Sequence, residues 1–227
     1  MVQLLERDGS RRRAAKRPVT WGSVVVGILL ALLAWWLASR ETAEIDGAVT
    51  DAEVADAVAA LRVIPVRAED TGNPYRRADW PHWTSDGTGC DTRERALRDQ
   101  GRDVATGAGC RPTGGAWTSP YDGVEITDPS EADLDHVVPL AEANRSGARS
   151  WTREQRTAFA NDPDQLLVVS ASSNRSKGDQ DPSRWMPDAR YSCAYAVRWV
   201  TTKHRYELSV DTAEKQVLTG VLARCPR

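Results

Sequence analysis

The strongest constraint on this chain is an uncharged, apolar stretch near its N-terminus, VTWGSVVVGILLALLAWWLA, from Val19 to Ala38. An α-helix rises about 1.5 Å per residue, so a stretch of this length spans the roughly 30 Å hydrocarbon core of a bilayer. The basic cluster RRRAAKR precedes it, and the positive-inside rule then places the N-terminus in the cytoplasm. We therefore predict a basic cytoplasmic segment over residues 1–18 and one transmembrane anchor over residues 19–39, with the remaining chain outside the cytoplasm.

A cleaved signal peptide is the alternative for the same stretch. Against cleavage, the apolar run is longer than the roughly 7–15 residues usual in signal peptides, and Leu37-Ala38-Ser39-Arg40 is a poor match to a small-x-small cleavage site. Cleavage would leave a secreted protein in place of an anchored one.

All four cysteines follow this stretch, and an even number in an oxidising compartment predicts two disulfides. Three pairings are possible from the sequence. We favour Cys90–Cys110 and Cys193–Cys225, because each closes a local loop. A zinc site is disfavoured, since no two cysteines form a CxxC pair and no histidine is spaced to complete one.

The charge of the chain is uneven along its length. The formal net charge is −2, but residues 41–227 hold 23 Lys and Arg against 30 Asp and Glu, a net charge of −7. A mildly acidic domain does not favour tight, sequence-independent binding of nucleic acid, because phosphate affinity comes largely from Lys and Arg. An enzyme that needs only a local basic groove is compatible with it.

Hydrophobic periodicity predicts the elements, and residues 40–60 are expected to form a linker and the start of the first helix. In the second half of the chain the predicted order is strand, insertion, strand, helix. Thr152 with Gln155 forms a capping-box pattern at the start of the insertion's helix. The predicted elements are a helix over Asp51–Arg62 with Asp51 as N-cap, a loop over Gly107–Tyr121, a strand over Leu134–Leu140, a helix from Thr152, a strand over Gln165–Ser170 and a helix from Ser172.

Three motifs occupy this second half: DLDHVVPL over 133–140, AFANDPDQLLVV over 158–169 and SSNRSKGD over 172–179. In this order they resemble the HNH (ββα-metal) endonucleases, in particular the family found at the C-terminus of GmrSD-type restriction enzymes. Segments 80–93 and 115–123 also resemble that family. The resemblance implies an α+β fold, with a ββα-metal finger at about 132–182 inside a disulfide-stabilised nuclease domain over residues 61–227.

The resemblance assigns the chemistry to specific residues. Hydrolysis of a phosphodiester needs an activated water and stabilisation of charge on the phosphoryl group. His136 matches the general base, and Asp135 and Asn174 match the ligands of a single Mg²⁺ or Mn²⁺ ion, which prefers oxygen donors. Adjacent side chains on a regular strand point to opposite faces, so the strand is expected to bend, bulge or end near Asp135 and His136.

One position departs from the family pattern. Gln165 stands where the family usually has Asn, whose amide oxygen orients the general base by accepting the imidazole N–H. Either the longer amide serves the same purpose with a backbone shift, or Asp164 substitutes for it. Lys177 and Arg93 are candidates for contacts to phosphate. Asp133 is expected to support its neighbours and not to bind the metal.

The expected function is metal-dependent hydrolysis of nucleic-acid phosphodiester bonds outside the cytoplasm, with DNA favoured over RNA as the substrate. The alternative is a catalytically weak or inactive membrane-anchored module of the same fold that binds nucleic acid or a protein partner. Gln165 and the acidic charge favour this alternative, whereas Asp135, His136 and Asn174 favour the enzyme.

Overall fold

A computed structural model describes residues 48–72, 74–85, 87 and 89–225 of the chain. These residues belong to one compact unit, Thr42–Arg227. The predicted anchor at 19–39 and the basic segment before it lie outside the described residues. Within the described part, no helix combines the length and the apolar character needed to cross a membrane.

The described unit has the α+β composition that the sequence predicts. Seven α-helices and five strands are described, with short 3₁₀ turns between some of them. The helices are α1 (Asp51–Val63), α2 (Thr92–Gln100), α3 (Leu140–Arg145), α4 (Arg153–Ala160), α5 (Ala171–Lys177), α6 (Ser192–Arg205) and α7 (Thr212–Leu222). The strands are β1 (Arg102–Thr106), β2 (Pro112–Thr118), β3 (Glu125–Ile126), β4 (Ala132–His136) and β5 (Leu166–Ser170).

Side-chain caps fix where the helices begin. At α4 the hydroxyl of Thr152 accepts from the backbone of Gln155, whose side chain accepts from the backbone of Thr152, as predicted. At α1 the same arrangement uses Thr50 and Glu53, so the prediction of Asp51 as N-cap was wrong by one residue. Thr50 has the extended backbone that a cap requires, and Asp51 is already the first helical residue.

Strands β4 and β5 form an antiparallel pair at the centre of the unit, with Ala132 opposite Ser170 and His136 opposite Leu166. Every residue of β5 is buried. Leu166 and Val168 enter one apolar cluster, together with α2 and Trp117, while Leu167 and Val169 enter the larger cluster on the opposite face. Period-two alternation therefore gives the hairpin two buried faces.

A second sheet has the order β1-β2-β3 and corrects the prediction of a loop over Gly107–Tyr121, because strand β2 occupies Pro112–Thr118 within it. Trp117 anchors this strand, since it is 1% exposed and its indole N–H donates to the Leu97 carbonyl at 2.7 Å. Gly115 has φ +147°, and a Cβ there would lie 2.9 Å from the Trp117 ring. Close packing within the strand therefore requires glycine at position 115.

Both favoured disulfides are present, Cys90–Cys110 and Cys193–Cys225. The first joins the segment before α2 to the turn between β1 and β2. The second joins α6 to the segment after α7. Each closes a local loop, as the sequence predicts.

Helices α1, α6 and α7 pack together in the larger core and bury a charged residue, Lys203. Its ammonium lies 2.7 Å from a carboxylate oxygen of Glu142 and 2.7 Å from one of Glu214. All three side chains are at most 2% exposed. Burial raises the pKa of Glu214 to about 7, since the Lys203 ammonium offsets only part of the effect of burial and of the neighbouring Glu142 carboxylate.

Candidate functional site

Strand β4 divides the motif DLDH between its two faces. Asp133 and Asp135 pair with Val169 and Leu167, and so face the larger core, while Leu134 belongs to the smaller cluster. The pairing is regular from Ala132 to His136, where the strand ends. The strand was expected to bend, bulge or end near Asp135 and His136, and it ends at the histidine.

His136 is held in one orientation by a backbone carbonyl. Its Nε2 lies 2.8 Å from the carbonyl oxygen of Ala160, the last residue of α4. A carbonyl only accepts, so Nε2 carries the proton and Nδ1 carries the lone pair. The Trp83 ring stacks on the imidazole at 5.4 Å between centroids and 5° between planes. Burial lowers the pKa of His136 to about 3, so the imidazole is neutral at physiological pH.

Asp135 is buried and carries an ion pair. Its carboxylate accepts from the Tyr121 hydroxyl at 2.7 Å and lies 2.8 Å from the Lys177 ammonium. Lys177 is 0% exposed and also donates to the His136 carbonyl at 2.8 Å. Burial lowers the pKa of Lys177 and raises that of Tyr121 well above its usual range. Lys177, expected as a phosphate contact, points inward and fixes Asp135 and the end of β4.

Asn174 lies on the same helix as Lys177, one turn earlier, and contacts the other aspartate of β4. Its amide nitrogen donates to the Asp133 carboxylate at 3.0 Å. Because a carboxylate accepts, this contact turns the amide oxygen of Asn174 away from Asp133. That oxygen accepts no hydrogen bond from the described part of the chain. Helix α5 thus pairs Asn174 with Asp133 and Lys177 with Asp135, with no direct contact between the two expected ligands.

Gln165 is fully buried next to the end of α4. Its amide nitrogen donates to the Phe159 carbonyl at 2.6 Å, and its amide oxygen is buried without a partner among the described residues. The imidazole N–H, expected to donate to this amide, donates to the neighbouring Ala160 carbonyl. Gln165 therefore acts on the helix end that holds His136, and not on the ring itself.

Arg93 lies at the opposite end of β4 from His136. Its guanidinium donates to the carbonyl of Pro129 at 2.9 Å and to that of Ala132 at 2.8 Å. The structure therefore places Arg93 on the backbone that leads into β4, away from the imidazole. It also borders a cavity of about 740 Å³ with Arg111 and Asp128.

Sequence reasoning assigned no role to Tyr121, Trp83 or Ala160. Tyr121 and Trp83 lie in the two upstream segments that resemble the family, which was the available signal. The stacking of Trp83 on His136 depends on a fold that brings residues 83 and 136 together. The role of Ala160 is performed by its backbone, so its side-chain identity carries no signal.

The donor atoms on this face of β4 are of the chemical type that binds a hard divalent cation. Asp133 and Asp135 offer carboxylate oxygens, and Asn174 offers an amide oxygen with no hydrogen-bond partner in the described part of the chain. Oxygen donors of this kind are those that Mg²⁺ and Mn²⁺ prefer. The Lys177 ammonium already neutralises Asp135, so a cation would share that carboxylate with it.

The order of β4, β5 and α5, with an Asp-His pair at the end of the hairpin and Asn on the helix, is that of the HNH nucleases. The chain belongs to the family described as GmrSD restriction endonucleases, C-terminal domain, whose model matches residues 113–221. It is also similar to a protein of Arthroderma benhamiae described as an uncharacterized secreted protein. The two are 44% identical over 168 residues, which is 73% of this chain and 82% of the relative. No solved structure matches the chain.

Proposed function

We propose that this protein is a metal-dependent endonuclease that hydrolyses phosphodiester bonds of nucleic acid, with DNA as the favoured substrate, outside the cytoplasm. The observation that carries the proposal is the orientation of His136. A neutral imidazole whose Nε2–H is bound to the Ala160 carbonyl keeps its unprotonated lone pair on Nδ1, which is the atom that a general base needs. Membership of the nuclease family supports the same conclusion.

In the proposed mechanism, Nδ1 of His136 takes a proton from the water whose oxygen bonds to phosphorus, while the bond from phosphorus to the leaving oxygen breaks and that oxygen takes a proton from solvent. Asp135 and the amide oxygen of Asn174 would hold one Mg²⁺ or Mn²⁺ ion, which would supply positive charge to the phosphoryl group. Asp133 holds the Asn174 amide in the orientation that exposes its oxygen. Lys177 holds Asp135 in place through its buried ion pair.

Gln165 has a positioning role in this proposal. By binding the Phe159 carbonyl it fixes the end of α4, and the next carbonyl along the chain orients His136. Arg93 fixes the entry to β4 by the same kind of backbone contact.

The proposed location outside the cytoplasm has two supports. Both disulfides require an oxidising compartment, and the fungal relative is described as secreted. The predicted anchor and the cleaved signal peptide both deliver the domain there. N-terminal sequencing of the mature protein distinguishes them, because cleavage removes residues 19–38 and an anchor retains them.

A second candidate function is a binding module without catalysis. The observation in its favour is the ion pair between Lys177 and Asp135, which neutralises an expected metal ligand. This module would bind nucleic acid or a protein partner and cleave neither DNA nor RNA.

Plasmid nicking by the purified protein tests the proposal, with Mg²⁺, with Mn²⁺ and with a chelator, and with RNA digested in parallel. Wild-type protein is expected to nick only with a divalent cation. Asn174→Ala and Asp135→Asn are each expected to reduce the rate by roughly 100-fold. Asp56→Asn, an equivalent change at an exposed position of α1, is the matched control and keeps the rate. Metal-independent nicking, or no cleavage of either nucleic acid by folded wild-type protein, would overturn the proposal.

A further inference from the structure

A second polar cavity lies between α3, α4 and the segment before Trp80, and it has a volume of about 300 Å³. Three of its six lining residues are arginines and one is acidic. A neighbouring cavity of about 380 Å³ shares Asn144 and Arg149 with it. The residues that line the first cavity are Pro74, Arg76, Asp79, Asn144, Arg149 and Arg156.

The charges that line this cavity are only partly balanced. Asp79 already pairs with Arg76 at 3.1 Å, and Arg149 pairs with Asp70 at 2.8 Å. Arg156 has no carboxylate partner among the described residues. Its guanidinium lies 5.7 Å from the centre of the Trp80 ring and donates to the Arg149 carbonyl at 2.9 Å. Its Nε–H is buried and has no acceptor within the described ranges.

Asn144 adds a second unused polar group. The residue is only 7% exposed, yet its side chain makes no hydrogen bond with the described residues. It borders both cavities. An amide at a cavity wall that has no protein partner in the described part of the chain is available to a ligand in that cavity. Beside arginine donors and an uncompensated positive charge, the matching ligand is an anion rich in acceptor oxygens.

Helix α4 links the cavity to the imidazole of the proposed nuclease. Arg156 and Ala160 are four residues apart on α4, which is about 6 Å of helical rise. They lie on one face of that helix, and the Ala160 carbonyl binds His136. A nucleic-acid strand carries one phosphate per roughly 3.4 Å of helix axis. The phosphates of one strand are therefore spaced on the same scale as Arg156 and Ala160.

We propose that this cavity binds a non-scissile phosphate of the nucleic-acid substrate. The cavity is created by the juxtaposition of Arg156, Asn144 and Arg149. The inference rests on the proposed nuclease function and names its substrate contact. It also gives a domain of net charge −7 over residues 41–227 a local positive site for a polyanion.

Binding of a labelled single-stranded oligonucleotide, measured by fluorescence anisotropy over a range of salt concentrations, tests this site. All proteins carry His136→Ala and contain chelator, so no strand is cut. Loss of one phosphate contact lowers the slope of log affinity against log salt by about 0.7, which is about a fivefold loss of affinity at 0.1 M salt. Arg156→Gln is expected to show both changes. Arg62→Gln removes the same charge from an exposed site on α1 and is expected to show neither.

Asn144→Asp keeps the size of the side chain and places a negative charge in the cavity. It is expected to weaken binding more than tenfold, and near-ultraviolet circular dichroism confirms that each variant is folded. Inorganic phosphate is expected to compete only at millimolar concentrations, which separates capture of a strand from a site for the free ion. Equal salt slopes for Arg156→Gln and Arg62→Gln, or unchanged binding by folded Asn144→Asp, would overturn the inference. A protein that cuts no nucleic acid but shows these differences would refute the nuclease alone.

Discussion

Replacing Lys177 by Met tests the ion pair beside the candidate metal site. The ammonium is 0% exposed and lies 2.8 Å from Asp135, whose side chain is 9% exposed. Its removal leaves a buried carboxylate without a counter-ion, a change that costs roughly 3–5 kcal/mol. The lower end applies because Tyr121 still donates to Asp135. At a slope of about 2 kcal/mol per M, the midpoint of urea unfolding falls by about 1.5 M in chelator.

A divalent cation is expected to restore much of this loss. A ligand that binds the folded state and is added at about 100 times its dissociation constant raises the free energy of unfolding by about 2.7 kcal/mol. The stabilisation by the cation should be larger in Lys177→Met than in wild type, because the cation no longer shares Asp135 with an ammonium. Lys215→Met on α7 is the control and changes the free energy of unfolding by less than about 0.5 kcal/mol. A loss below about 1 kcal/mol, or equal metal stabilisation of both proteins, would refute the reasoning.

Two further predictions concern Trp83 and Glu214. Trp83→Ala removes the ring stacked on His136 and should lower the nicking rate by about 10–100-fold. Trp83→Phe retains an aromatic ring and should keep most of the wild-type rate. Equal rates for the two variants would show that the stacking has no role. Glu214 keeps its proton in the folded protein up to a pKa of about 7, whereas its ordinary value is 4.5. The folded state therefore binds more protons between these values, and the free energy of unfolding falls by up to about 3 kcal/mol as pH rises from 4.5 to 7. Urea unfolding at several pH values should show this decline in wild type and a flatter profile in Glu214→Gln, and a stability that rises over this range would contradict the assignment.

The central hairpin was predictable from the sequence because its physical signal is local. Gln165–Ser170 is a short apolar run between turn residues, and strand β5 occupies Leu166–Ser170. The strand predicted over Leu134–Leu140 forms only as far as His136. Val137 donates its backbone N–H to the Gln165 carbonyl, and Pro139 precedes α3. The end of β4 is therefore set by a contact with a distant residue.

The candidate site was predictable in its residue types and less so in its contacts. Lys177 follows polar residues at a helix start and therefore resembles an exposed cation, yet it is buried because Asp135 lies opposite. Asn144 and Arg156 have no motif in common, since two helices and the intervening turn bring them together. Contacts of this kind depend on tertiary packing, which composition and spacing do not report.

The most direct test of the central claim is plasmid nicking with Mn²⁺ by His136→Ala and His204→Ala compared with wild type. His204 is an exposed histidine on α6, so the two variants make the same chemical change at a buried and at an exposed position. Loss of a general base costs about 10²–10⁴-fold in rate. The account predicts that loss for His136→Ala and a wild-type rate for His204→Ala. Nicking by folded His136→Ala at the wild-type rate would contradict it.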